Sequence, residues 1–297
     1  MTTHHLPAAG LGRRLLRRAV ARLPRGRARI ARLLSRRWRE PFIDVVEPHE
    51  LGLKLGIEPA DPFQMEIWLG TYQPHVLAFM RRCVRPGATV LCAGLHVGYI
   101  AAVARRLAGP SGLVLSAEPD AAARAWALRN LALADATRDA RVEVLAGGLS
   151  DTPGALPLYR SAVMGHSSFA APHQPGGTDV VPVHRGDDWL GGLGVRALDV
   201  LVLDVEGWEV HTLRGLASTI AHSTGLRALV EASEWALESA GESRGSLIDF
   251  WQARGFTVRW AVRYGRDLSF GVWGPPATAH GPSLAGDLLC VRDGTAG

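Results

Sequence analysis

Beyond residue 85, short apolar runs alternate with segments of helical period. Thr89–Ala93 (TVLCA), Leu113–Ala117 (LVLSA) and Val142–Leu145 read as buried strands, with Arg85-Pro86-Gly87 and Gly109-Pro110-Ser111-Gly112 as turns. Between the strands, Gly98–Leu107 and Ala121–Ala134 have the alanine and leucine content of good helices. Leu198–Asp204 (LDVLVLD) is apolar without interruption over its middle, which predicts a strand covered on both faces. A helix over about Val210–Ile220, a strand at Leu226–Glu231, a helix at Leu247–Ala253, and strands at Phe256–Val262 and Leu288–Val291 follow. This alternation predicts an α/β fold, a doubly wound and mostly parallel sheet over residues 89–297, entered through a helical lead-in at residues 41–88. The stretch 164–178 (MGHSSFAAPHQPGGT) is long enough for a substrate loop. Ligands of such sheets bind outside the carboxyl ends of the strands, so the chemistry is sought there.

The first forty residues follow a different pattern. Leu11, Leu15 and Ala19 recur at helical spacing, as do Ile30, Leu33, Leu34 and Trp38, with arginines between them; Pro24 divides the stretch into two short helices. Residues 1–40 hold twelve arginines and one acid, Glu40, whereas the rest of the chain holds 21 basic and 27 acidic residues. The net charge of +5 therefore describes an arm near +11 on an acidic body. A loosely packed basic leader, an interfacial helix contacting anionic lipid through residues 11–38, a nucleic-acid arm and a partner-docking helix are the readings left open. Arginine interrupts every apolar stretch, which argues against a secretory signal; a transit peptide would share the acid-poor composition.

Composition narrows the class. With 47% hydrophobic residues in 297, the chain can build a sizeable core. No apolar run approaches the ~20 residues of a membrane span. Three scattered cysteines (Cys83, Cys92, Cys290) support neither a disulfide framework nor a zinc site, so a reducing, cytoplasmic setting is expected.

At the first strand end stands Gly94-Leu95-His96-Val97-Gly98-Tyr99, a turn into a helix that lets backbone N–H groups approach a ligand. A dinucleotide fingerprint would need glycine at His96 and at Tyr99, which argues against NAD. The second strand ends in Glu118-Pro119-Asp120. An acid some twenty residues beyond such a turn suits ribose hydroxyls, and Asp120 equally suits a helix N-cap. Asp151 follows the third strand, within reach of an adenine edge or simply opening a turn. After the fourth come Asp204, Glu206 and Glu209, three carboxylates that are costly at a buried strand end unless paired or used. Asp204 could orient or deprotonate a hydroxyl or, with Glu206, hold a cation; Glu209 suits a first helical turn. No histidine or further acid at ligand spacing requires a metal, and none is expected. His166, Ser167 and Ser168 are candidate acceptor contacts in the long loop.

Taken together, GLHVGY, EPD, LSD, the loop serine pair, LDVEGWE and LRG (Leu213–Gly215) resemble the FkbM family of S-adenosylmethionine-dependent methyltransferases, from about Pro74 to Arg292. The resemblance implies a class I methyltransferase (Rossmann-like) fold with an antiparallel last strand, and O-methylation of a hydroxyl on a secondary metabolite or saccharide. By it, Cys92, Gly94, His96, Gly98, Tyr99, Glu118 and Asp151 hold S-adenosylmethionine. Asp204 and Glu206 act on a small-molecule acceptor, with His166, Ser167, Ser168 and Trp208 beside it. Two positions depart: the family usually has Asp at Cys92 and often Lys at Val202. A donor-binding protein without turnover is therefore an alternative. Nucleic-acid methylation through the basic arm is another, disfavoured because no N/DPPY-like element follows the fourth strand.

Overall fold

The computed structural model describes residues 6–21, 23, 26–46, 51–161, 164–170, 176–261, 278 and 286–292. The arm forms α1 (Leu11–Ala21) and α2 (Arg27–Ser35); Pro24, read as the divider, lies outside the described residues. The segment expected to be helical opens instead with an antiparallel hairpin, β1 (Phe42–Val46) and β2 (Leu53–Ile57), before α3 (Pro62–Leu69) and α4 (Pro74–Cys83). Asp61 caps α3 by accepting from the N–H groups of Phe63 and Gln64.

The sheet domain then runs β3 (Thr89–Ala93), α5 (Tyr99–Ala108), β4 (Leu113–Ala117), α6 (Ala121–Ala132) and β5 (Arg141–Leu145). A three-stranded excursion follows, β6 (Gly148–Ser150), β7 (Gly154–Tyr159) and β8 (Thr178–Arg185), with α7 (Gly186–Gly192) behind it. The chain returns through β9 (Val200–Leu203), α8 (Glu209–Gly215), α9 (Ala217–His222), β10 (Arg227–Glu231), α10 (Glu234–Ser239), α11 (Arg244–Gln252), β11 (Phe256–Ala261) and β12 (Asp287–Arg292).

Seven strands pair in the order β11-β12-β10-β9-β3-β4-β5, parallel from β10 to β5, with β12 antiparallel to both neighbours. This is the doubly wound sheet expected, reversing direction of winding beside β3. The strand alternation sorts side chains to two cores. Val90, Cys92, Val114, Val200 and Val202 join Phe79, Met80 and Val103 on one face, while Leu91, Ala93, Leu115, Leu201 and Leu203 join Leu213 and Trp251 on the other. The helix expected over 210–220 is two helices meeting at Leu216. Gly215, just before the break, rests so closely on β6 that a Cβ there would lie 2.0 Å from the Ser150 carbonyl oxygen. Strands β7 and β8 escaped the periodicity because most of their residues are exposed and no apolar alternation marks them. No helix among the described residues is long and apolar enough to cross a membrane.

Candidate active site

Beyond the carboxyl ends of β3, β9 and β10 lies a cleft of about 470 Å³. Cys92, Gly94, His96, Tyr99 and Glu118 line one side, and Val202, Asp204, Glu206 and Glu231 another; Phe63, Tyr72 and Gln73 close it from the lead-in. Six carboxylates and three histidines face the cleft, and no lysine or arginine among the described residues does. Three non-glycine residues have left-handed φ, Gln73 (38°), His96 (49°) and Glu206 (54°), and all three line this cleft. Backbone strain of this kind costs on the order of 1–3 kcal/mol and collects where geometry serves function.

The glycine turn is shaped by the neighbouring strand. Gly94 has φ 88°, and a Cβ there would fall 1.7 Å from the Asp204 carbonyl oxygen, so only glycine lets β3 and β9 end side by side. Glu118 holds the turn from below: one carboxylate oxygen accepts from the N–H groups of Leu95 (3.2 Å) and His96 (3.0 Å), the other from Asp120 N–H (3.0 Å). Burial, opposed by these bonds, raises its pKa to about 7. Asp120 is the N-cap, accepting from Ala122 and Ala123, and takes a further bond from Ser167 Oγ at 2.8 Å. Burial pushes the His96 imidazole down to about 4, so it is neutral, and its Nε2 has no partner. The Cys92 thiol is pushed up to about 12 by burial and stays protonated.

The acidic end is built differently. Asp204 follows the last residue of β9, and Glu231 closes β10, where Val230 pairs with Leu203, so the two carboxyls are neighbours. They share a hydrogen bond, and Gln73 Nε2 donates to Asp204 at 3.2 Å. Burial, then the charges of Glu206 and Asp287, raise Asp204 to about 6; burial and then Asp204 raise Glu231 well above the carboxylate range. Both carboxyls are thus pushed up and titrate as a pair holding a proton between them, while one Glu231 oxygen is left buried without a partner. Glu231 escaped the sequence reading; the signal available was an acid ending the strand beside the one that bears Asp204. Glu206 accepts from His166 Nδ1 at 2.8 Å, which raises the imidazole's pKa, and its carbonyl accepts from Ser168 Oγ at 2.6 Å. His166 and Glu206 thus pin the loop over the cleft. Asp287 pairs with buried His75 at the rim.

Other expected residues stand elsewhere. Asp151 lines neither the cleft nor the narrow crevice of about 40 Å³ beside it; it pairs with His211 Nδ1 (3.4 Å) and accepts from Ser150 Oγ (3.2 Å). The crevice is lined by residues that include Pro119, Gly148, Leu149, Ser167, Phe169 and Trp208. Trp208 likewise faces this crevice and not the large cleft, stacked on His211 at 4.0 Å with its indole N–H on Ser150 Oγ. Glu209 is turned inward, accepting from Val205 and Gly207 N–H at the start of α8.

The model of the methyltransferase FkbM domain matches residues 93–258, more than half of the chain. The chain belongs to the FkbM methyltransferase family. Its strand order is that of the class I methyltransferase fold. No curated protein matches the chain. Among solved structures it is similar to an S-adenosylmethionine-dependent O-methyltransferase of Thermotoga maritima, at 15% identity and a TM-score of 0.43, over 74% of this chain and 65% of that one. It therefore spans less than two thirds of that protein. A putative rRNA methylase of Clostridium thermocellum gives 15% identity and a TM-score of 0.40, over 73% and 92% of the two chains. A precorrin-6y C5,15-methyltransferase of Geobacter metallireducens gives 12% and 0.41, over 75% and 90%. At these scores the likenesses add no argument to the strand order and the family match.

The FkbM departures at Cys92 and Val202 meet in the structure: they are register partners on β3 and β9, buried on the same face. An acid and a base usual to the family are replaced together by an apolar pair, so no unpaired charge is left, and such exchanges are often neutral for stability. The cleft also suits the cofactor on its own terms. Its acidic lining complements a sulfonium and an ammonium, Glu118 retains an acceptor lone pair at the strand end, and neutral His96 presents an unpartnered nitrogen.

Proposed function

We propose that this FkbM methyltransferase methylates a hydroxyl of an uncharged or cationic small molecule seated between Asp204, Glu231 and the aromatic wall of Phe63 and Tyr72. The observation that carries this reading is the carboxyl pair at adjacent strand ends, in a cleft whose lining has six acids and no described lysine or arginine. A phosphorylated or carboxylated acceptor would set its charge beside Asp204 with no lysine or arginine among the described lining residues to offset it.

When bound, S-adenosylmethionine supplies a methyl carbon made electrophilic by a cationic sulfur. The chain's residues do the rest. Cys92, Gly94, His96, Tyr99 and Glu118 would hold the cofactor. Asp204, ionised at neutral pH, aligns the acceptor hydroxyl and takes its proton late, as the oxygen becomes acidic on forming its new bond. Glu231, protonated, donates to Asp204 and steadies that charge, and Gln73 fixes the carboxylate's orientation. Tyr72, half-buried beside His96 and Tyr99, helps keep water from the reacting oxygen. The loop residues His166 and Ser168 act through Glu206 and close the acceptor side.

The test is incubation with methyl-labelled cofactor and a metabolite extract of the source organism, followed by mass spectrometry. A labelled neutral or amine-bearing small molecule with the methyl on oxygen is the expected result. Label on RNA, on nitrogen or on an anionic acceptor overturns the reading. Cofactor binding without any labelled product would favour a binding protein.

A further inference from the structure

The arm has apolar residues on two sides: Leu16, Val20, Ile30, Ala31, Leu34 and Trp38 pack inward, and three leucines do not. On α1 the residues turned to the protein include arginines: Arg13 lies over the rings of Trp38 (5.1 Å) and Phe42 (4.5 Å), and Arg17 pairs with Asp44, which also accepts from the Trp68 indole at 2.9 Å. Val20, on the same face, is buried. Backbone bonds between Ala9 and Ile43 and between Ile43 and Pro7 fasten the segment before α1 to β1. Leu16 and Leu34 pack against the core, whereas Leu11, Leu15 and Leu33 face away. Leu11 is 74% exposed and Leu15 54%, one turn apart, with Arg18 exposed beside them, while Arg14 reaches back to Asp44 at 3.5 Å. On α2, Leu33 is 61% exposed, and exposed Arg29, Arg36 and Arg37 lie at helical spacing around it.

From this we infer that α1 and α2 form a docking surface for an anionic lipid bilayer. A helix with arginines flanking outward leucines lies in the interfacial plane, its leucines among acyl chains and its guanidinium groups at the headgroups. Charge selects the occupant and the orientation: the arm is near +11, the rest of the chain holds six more acids than bases, so an anionic surface attracts the arm and repels the body. A phosphate-reading nucleic-acid arm has no use for Leu11, Leu15 and Leu33 in water, and a second copy would set two like-charged arms against each other. Both helices pack against α3, whose Phe63 and Glu66 line the cleft, so docking would hold the cleft near acceptors delivered at the membrane.

The experiment is co-sedimentation of the full chain with phosphatidylcholine vesicles, with and without phosphatidylglycerol. Binding at least about ten-fold tighter to the anionic vesicles, weakened by salt, is expected. Leu11→Asp with Leu15→Asp should weaken it at least about ten-fold, and Arg18→Glu or Arg29→Glu about five-fold each. The milder pair Leu11→Ser and Leu15→Ser serves if the aspartates disturb folding, with S-adenosylhomocysteine binding as the control for an intact body. Equal binding to neutral and anionic vesicles, no binding to either, RNA binding that survives the leucine changes, or a dimer abolished by them would each overturn the inference.

Discussion

Three strand ends deliver acids into one cleft, and β4 treats its acid in the opposite way to β9 and β10. At the end of β4, Glu118 accepts three backbone N–H bonds, and its neighbour Asp120 caps a helix and holds Ser167. At the ends of β9 and β10, Asp204 and Glu231 share one proton, and one Glu231 oxygen has no partner at all. The first arrangement is a clamp: it positions the glycine turn, and its polar capacity is nearly spent. The second is unfinished, and the unspent capacity faces the cavity. A buried carboxyl lacking partners costs stability unless a ligand completes it, so the satisfied acid belongs to the scaffold and cofactor and the unsatisfied pair to the reacting acceptor.

Substitutions in the two arrangements should therefore separate binding from chemistry. Asp204→Asn should lower kcat by about 10²–10⁴-fold, the usual worth of a positioned base, with S-adenosylhomocysteine affinity little changed. Glu118→Gln leaves one N–H of the turn facing an amide nitrogen and should weaken S-adenosylhomocysteine about 10-fold or more by calorimetry. Equal effects of both variants on affinity would erase the distinction. The pH profile sharpens it: Asp204 must lose its proton to act, so kcat/KM in the wild type should climb through about pH 6 to a plateau. Glu231→Gln retains a donor to Asp204 and should keep much of the activity, whereas Glu231→Leu should not.

Much of this was legible in the sequence, and the reasons are local. β3 and β4 were placed to the residue because a strand buried on both faces is a continuous apolar run between sharp turns. The hairpin β1–β2 was missed because each strand has five residues inside a region of helical patches. Asp204 was found because its motif is contiguous; Glu231 was not, since its meaning arises only from the register that sets Val230 beside Leu203. Asp151 shows the converse. Its motif is contiguous, but β6 leaves the main sheet, and His211 across on α8 takes the carboxylate.

The apolar pair between the two arrangements offers a second break. Cys92→Asp alone would bury a carboxylate opposite Val202 and should cost about 3–5 kcal/mol in chemical denaturation, the penalty of a buried charge without its mate. Val202→Lys alone should be comparably damaging. Together they restore the acid–base pair usual to the family, and the double variant should be more stable than either single one. Purely additive losses would mean that the two positions changed independently and that their register is incidental.

The smallest effect concerns a carboxyl that belongs to neither arrangement. Glu209 accepts from Val205 and Gly207 N–H with one oxygen and leaves the other buried without a partner; burial raises its pKa to about 8 from an ordinary 4.5. Because the folded state holds this proton more tightly than the unfolded chain does, its contribution to stability is complete below about pH 4.5. It fades as pH rises through 8. Asp204, Glu118 and Glu231 push in the same direction. The cofactor-free protein should thus melt at a lower temperature at pH 8 than at pH 5.5, by roughly 2–4 °C for each kcal/mol lost. Glu209→Gln keeps the accepting oxygen and removes the titration, so its melting temperature should vary less with pH and exceed the wild type's at pH 8. A wild type that gains stability toward pH 8 would show that Glu209 is ionised inside the fold, and that the turn around Glu206 is held by charge and not by a protonated side chain.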